Sequence, residues 1–186
     1  LIHRKVVVAA GSFGVGGDHI TNDIAQAFGI RANRAEELKL SDGCAVIDAQ
    51  RAGQRIEMPL NVIAGPLQSV SVRALHTVIE ARMRETLELI RDQLGPNLRQ
   101  AGSGVVFTGG GAYLPRLNEL AERIFGVSAQ TGELISDIEG VPRDKVRPAA
   151  LATVAGLLIR SAQTQSDGLA DPVGHFVGKL GRVFRR

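Results

Sequence analysis

The sequence predicts an α/β fold, a partial parallel or mixed sheet with flanking helices, and three stretches predict it. Val105, Val106 and Phe107 form a short β-branched, apolar run. It stops at Gly109, Gly110 and Gly111, and Leu114, Leu117, Leu120, Ala121 and Ile124 then recur at helical spacing. Lys5–Ala10 ("KVVVAA") repeats the scheme: an apolar strand, a glycine-rich turn, then a helix with Ile20, Ile24, Ala27 and Phe28 on one face. A strand at Val127–Thr131 and an apolar segment at Pro148–Ala162 complete a strand–helix–strand–helix order, which calls for parallel pairing with helices on the sheet faces.

The elements follow in order. Lys5–Ala10 is expected as a buried strand of the same sheet, and the helix after it has Asp18 and Thr21 as candidate caps. A second helix covers about Arg34–Leu40 and ends at Ser41-Asp42-Gly43. Short strands are expected near Ala45–Asp48, Gln54–Pro59 and Leu67–Val70. A long helix spans Val72–Leu94, with Leu75, Val78, Ile79, Met83, Leu87, Ile90 and Leu94 as its buried stripe, and Gly95-Pro96 breaks it. Pro148–Ala162 is apolar nearly all round and is expected to be a buried helix. The expected organisation is a core subdomain of residues 1–29 and 102–162, an inserted smaller α+β lobe of residues 30–101, a polar linker at 163–172 and a separate helix at 173–186.

Composition narrows the function. The 186 residues carry no Trp and one Tyr, which argues against a stacking platform for nucleic acid. Cys44 is the single cysteine, so there is neither an internal disulfide nor a cysteine-rich metal site, as suits a reducing cytoplasm. The four histidines have no metal-ligand spacing. Net charge is +3, yet Pro172–Arg186 holds Lys179, Arg182, Arg185 and Arg186 with no acid. Without those four cations, 18 basic residues face 19 acidic ones. Wound as a helix, the tail places Val173, Phe176, Val177, Leu180 and Phe184 on one stripe flanked or opposed by cations. That is the pattern of a helix lying in a membrane interface. A last helix docked on the protein's own core is the alternative.

The glycines at 109–111 permit close backbone approach to a ligand, and a plain tight turn explains them as well. Glu36 and Lys39 share one helix face at i,i+3 and, as residues alone, read first as a surface ion pair. No lysine-bearing P-loop is present, so "GSFGVGG" is not a Walker site.

"GGDHITNDIAQAFG", "AEELK" and "GVVFTGGGAYLPRLNELAERIF" resemble the actin-like ATPase superfamily, whose fold is ribonuclease H-like. Together with "VIEARMRETLELI" and the basic terminal helix, they resemble most closely its FtsA family of bacterial cell-division proteins. The resemblance covers nearly the whole chain and corresponds to the C-terminal part of that family, an actin-like second lobe. It implies ATP and Mg²⁺ as cofactors, with Gly109, Gly110, Gly111, Glu36, Lys39, Gly16 and Gly17 as nucleotide contacts beside Asp18. It implies partner contacts to the C-terminal tail of tubulin-like FtsZ at Arg82 and Glu85, which as residues alone read equally as an intrahelical pair. It further implies filament formation, and attachment to an anionic membrane through Val173, Phe176, Val177, Lys179, Leu180, Arg182, Phe184, Arg185 and Arg186. The expected place is the cytoplasmic face of the inner membrane at the division septum. The superfamily's two phosphate loops precede the region that begins at Leu1, so catalysis by these residues alone is not expected. A sugar kinase or chaperone-type ATPase of the same superfamily, or a PilM-like pilus-assembly scaffold, is the alternative. Neither predicts a basic amphipathic terminus.

Overall fold

The computed structural model describes residues 1–4, 6–59, 67–132 and 148–166. The chain divides into two compact units, one of Leu1–Val105 with Tyr113–Gln130 and the other of Val106–Ala112 with Thr131–Arg186.

The first unit is organised by three helices. α1 (Gly17–Phe28) ends at Gly29, whose φ of +63° supplies the left-handed cap that glycine adopts without strain. α2 (Ala32–Asp42) and α3 (Val72–Leu94) pack against α1. Ser71 caps α3 by accepting from the Ala74 N–H at 3.4 Å, and Gly95-Pro96 terminates it. The apolar stripes meet in one core of Ile20, Ile24, Ala35, Leu38, Met58, Val70, Leu75 and Ile79. Their spacing in α1 and α3 is the three-and-four rhythm read from the sequence. α4 (Leu117–Phe125) buries Leu117, Leu120, Ala121 and Phe125 and packs on α3. It starts at a left-handed Arg116 (φ +60°), costly for a side-chain-bearing residue. The Arg116 guanidinium donates to both Glu119 carboxylate oxygens at 2.7 and 2.9 Å and to the Ile47 carbonyl at 3.0 Å, which holds that conformation.

Two expectations for this unit are corrected. Lys5–Ala10 is not a buried strand of the sheet that holds Val105–Phe107. Among the described residues, β1 (Ile2–His3) and β2 (Val6–Val7) form their own antiparallel hairpin. Val6 and Val7 are exposed because this pairing covers only one edge and no described element covers the faces. Ala45–Asp48 is not a strand. Its backbone donors go one by one to single acceptors: Ala45 to the Pro115 carbonyl (2.9 Å), Ile47 to Glu80 Oε2 (3.1 Å) and Asp48 to His76 Nδ1 (3.2 Å). A segment tied in this way has no ladder, although Cys44, Ala45 and Val46 are buried as a strand's would be. His76 is itself fully buried. Because Nδ1 accepts from Asp48, Nε2–H donates to the Asp42 carbonyl at 2.9 Å.

β3 (Arg55–Pro59) and β4 (Leu67–Ser71) pair antiparallel, with Ile56 opposite Val70. β5 (Val105–Phe107) pairs with β6 (Ala129–Thr131), and the division between the units runs through this pair. In the first unit the Val105 N–H donates to the Ser128 carbonyl, and in the second the Gly132 N–H donates to the Phe107 carbonyl, both at 2.8 Å.

In the second unit, α5 (Ala152–Ser166) follows a 3₁₀ turn at Pro148–Leu151. The expectation of a helix buried all round fails. Ala149 and Ala155 are buried, whereas Val154, Leu157 and Leu158 are 55%, 66% and 44% exposed, because no described element of this unit covers that face. The terminal helix expected at 173–186 lies outside the described residues, as does most of the linker before it. No described helix is long and apolar enough to cross a membrane.

Candidate functional site

The first unit brings Gly17, Glu36 and Lys39 together and adds Thr21, which pattern reading passed over as a cap. The Lys39 ammonium donates to the Gly17 carbonyl at 3.1 Å and to Thr21 Oγ1 at 2.8 Å, and it pairs with Glu36 Oε2 at 2.5 Å. An ammonium has three donors, and all three are placed inside the protein. Thr21 Oγ1 passes the chain on by donating to Glu36 Oε2. Lys39 therefore works first as a clamp between the start of α1 and the last turn of α2. Its side chain is only 12% exposed, that of Glu36 40%.

Partial burial pushes the Glu36 carboxyl up, but the Lys39 ammonium and the Thr21 hydroxyl outweigh it and leave Glu36 below the usual glutamate value. Glu36 is thus ionised at neutral pH, and its partly exposed carboxylate suits an incoming hydroxyl donor such as a sugar. At the start of α1, Asp18 lies in the first turn without making a cap bond; the ring of His19 accepts from the Gly16 N–H at 3.2 Å instead.

In the second unit, the glycine run does not open directly into the amphipathic helix. Gly110–Tyr113 is a single 3₁₀ turn, and α4 begins only at Leu117. Gly109 has a φ of +88° that requires glycine, and its N–H donates to the Ala149 carbonyl at 2.7 Å. A Cβ added at Gly110 or Gly111 would meet nothing within 4 Å, so their bare backbone is not demanded by packing among described residues.

Arg82 and Glu85 are an intrahelical pair, Nη1 to Oε2 at 2.6 Å, but Arg82 does more. Its Nε and Nη2 fork onto Asp23 of α1 at 2.5 and 3.0 Å. The Arg82 guanidinium thereby ties α3 to α1 in a bidentate bond, the stronger geometry for such a pair. Asp23 is 59 positions away in sequence, beyond the reach of spacing arguments. Among the described residues no group of acids, histidines and cysteines could hold a metal ion.

Residues 1–156 match the family model described as "Cell division protein FtsA". The chain belongs to the FtsA family. FtsA of Pseudomonas aeruginosa is 35% identical over 84% of this chain and 37% of its own length. FtsA of Escherichia coli K12 is 31% identical over all of this chain and 44% of its own, and that of Agrobacterium fabrum 32% identical over 98% and 42%. The chain thus spans less than half the length of these curated FtsA relatives. Among solved structures, MreB5 of Spiroplasma citri bound to ADP superposes with a TM-score of 0.65 at 16% identity, covering 87% of this chain and 49% of MreB5. The AMPPNP-bound MreB5 gives 0.63, also at 16%, covering 88% and 49%. The fold is therefore actin-like, as FtsA membership leads one to expect.

Proposed function

We propose that this chain serves as part of an ATP-binding, actin-like scaffold of bacterial division that tethers FtsZ to the cytoplasmic face of the inner membrane at the septum. FtsA membership over residues 1–156 carries this reading, and the apolar stripe and cations of residues 173–186 extend it to the membrane. Filament formation belongs to the same proposal, because the actin-like fold is one that repeats head to tail.

Nucleotide binding draws support from the ionised Glu36 and its Lys39–Thr21–Gly17 clamp, and from the MreB5 neighbours, described as bound to ADP and AMPPNP. The role is adenosine recognition by Glu36 with Lys39 holding it in place; Gly16, Gly17 and Gly109–Gly111 offer backbone. Lys39 itself is not set aside for phosphates, since its three donors are committed inside the protein. Residues 1–186 alone are therefore expected to bind Mg·ATP more weakly than about 1 μM, as oriented charge around phosphates supplies much of the affinity in such sites. Titration calorimetry measures this, and sub-micromolar binding would contradict the assignment.

For FtsZ, the proposal places its C-terminal tail on the α3 surface that carries Glu85. Arg82→Glu is expected to weaken a fluorescent FtsZ tail peptide by about 1–3 kcal/mol in anisotropy titrations. This change also breaks the Asp23 fork, so Glu85→Lys, which leaves that fork intact, is the decisive companion. Wild-type affinity in Glu85→Lys would remove this pair from the contact, and no binding by any form would favour the PilM-like or enzymatic alternatives.

A further inference from the structure

Thr21 stands at the centre of the Lys39–Glu36 contact, is 7% exposed, and has one hydroxyl hydrogen to place. Two acceptors are in reach, the Gly17 carbonyl at 3.2 Å and Glu36 Oε2. The Gly17 carbonyl already accepts from Lys39, and the carboxylate carries a full charge, so the hydrogen goes to Glu36. Glu36 Oε2 thus receives both the Thr21 hydroxyl and the Lys39 ammonium, whereas Oε1 accepts from no described residue. We propose that Thr21 is a positioning residue for Glu36: its hydroxyl fixes Oε2 on the protein and leaves Oε1 as the acceptor for a ligand hydroxyl. This role rests on the reading of Glu36 as an adenosine contact, and it makes Thr21 the residue that sets the preference for a nucleoside whose sugar bears hydroxyls.

Lys39 cannot do this alone. An ammonium is a compact charge with three rotatable donors on a flexible stem, and it follows whichever oxygen the carboxylate presents. The last torsion of a glutamate is broad and two-fold, so its oxygens exchange unless a directional donor holds one of them. Thr21 is that donor. It lies in α1 between the core residues Ile20 and Ile24, and a β-branched side chain in a helix has few rotamers open to it. Lys39 donates to Thr21 Oγ1 at 2.8 Å, which leaves the hydroxyl hydrogen directed away from the ammonium.

A site built to bond a ligand hydroxyl rejects the analogue that lacks it, because a polar group of the site is then left unpaired. The Glu36 side chain is 40% exposed, so water replaces the missing hydroxyl in part and the discrimination is modest. Two variants divide the Thr21 side chain into its parts. Thr21→Val keeps the shape and removes the hydroxyl, and Thr21→Ser keeps the hydroxyl and removes the methyl.

NMR titrations of the 186-residue chain at millimolar nucleotide test this, with Mg·ATP against its 2′,3′-dideoxy form, which has no sugar hydroxyl. Wild type and Thr21→Ser are expected to prefer ATP roughly tenfold, and Thr21→Val about twofold or less. In a Glu36→Gln background, Thr21→Val should change nothing further, because the two residues act as one unit. The Glu36 carboxyl, followed by carbon-13 NMR without nucleotide, supplies the second readout. Burial raises its titration, while the bonds from Lys39 and Thr21 lower it further than burial raises it. Loss of one donor to the ionised form therefore moves the titration to higher pH in Thr21→Val and not in Thr21→Ser. The charged and titratable groups within a turn of the contact, Arg34, Glu37 and Lys39 on α2 and Asp18 and His19 on α1, are the same in each variant. A Glu36 titration that Thr21→Val leaves in place, or that Thr21→Ser shifts equally, overturns the proposal. The shift in Thr21→Val alone, in a chain whose wild type shows no preference for ATP, supports the positioning of Glu36 and overturns the adenosine reading instead.

Discussion

Ile79→Ala is expected to cost about 2–5 kcal/mol of unfolding free energy, a large part of the roughly 5–15 kcal/mol available to a protein of this size. Ile79 has no exposed surface and stands in the core where α3 meets Ile20 and Ile24 of α1 and Leu38 of α2. Its Cδ1 would lie 3.2 Å from a Cβ placed on Gly43, so the end of α2 closes directly over it. Truncation leaves a cavity at the junction of three helices, and none of them has loose chain with which to fill it. Since there is no Trp, far-UV circular dichroism during urea denaturation is the suitable probe. Leu89→Ala, on the exposed side of the same helix, serves as control and is expected to stay within about 0.5 kcal/mol of wild type. Equal midpoints for the two variants would place Ile79 outside the core. The effect also reaches the site, because α1 and α2 carry Thr21 and Lys39, and loosening their contact opens the clamp.

That junction was legible in the sequence because helical burial repeats locally: Ile20 and Ile24, or Leu75 and Ile79, announce a face without knowledge of the partner. Termination was legible for a similar reason, as the Gly43 turn and Gly95-Pro96 act through their own backbones. What failed depended on remote groups. Val6 and Val7 have the composition of a core strand, but composition does not specify which strand pairs with them. Cys44–Val46 looks like a strand because it is buried, yet Pro115, His76 and Glu80, all distant in sequence, claim its backbone. Within the site, the family resemblance brought out Glu36 with Lys39 and Arg82 with Glu85, and their i,i+3 spacing placed each pair on one helix face. Thr21 and Asp23 were missed because their partners come from another helix. Only a packing constraint could have found them, as Thr21 lies one turn before the core residue Ile24 and Asp23 one turn after the core residue Ile20. The apolar character of α5 was read correctly, but not that the described structure leaves one face of it open.

Deleting Val173–Arg186 is expected to abolish flotation of the chain with anionic liposomes. On the proposed reading, the apolar residues Val173, Phe176, Val177, Leu180 and Phe184 would enter the acyl boundary, while Lys179, Arg182, Arg185 and Arg186 would meet headgroups at about 1 kcal/mol each near a charged surface. Gly174, Gly178 and Gly181 each cost about 1 kcal/mol of helix propensity, so helix formation depends on a surface that rewards it. One such segment binds weakly, and firm attachment requires many copies on a polymer, which fits a scaffold whose grip grows with assembly. Flotation should therefore require anionic lipid, fall as salt rises, and be lost in Phe176→Glu with Phe184→Glu, which keeps every cation but spoils the stripe. The double variant separates insertion from charge attraction alone: a merely basic tail would lose part of its binding there, an interfacial helix nearly all of it. Flotation that survives removal of Val173–Arg186 would place the membrane contact elsewhere in the chain and leave FtsZ tethering without its anchor.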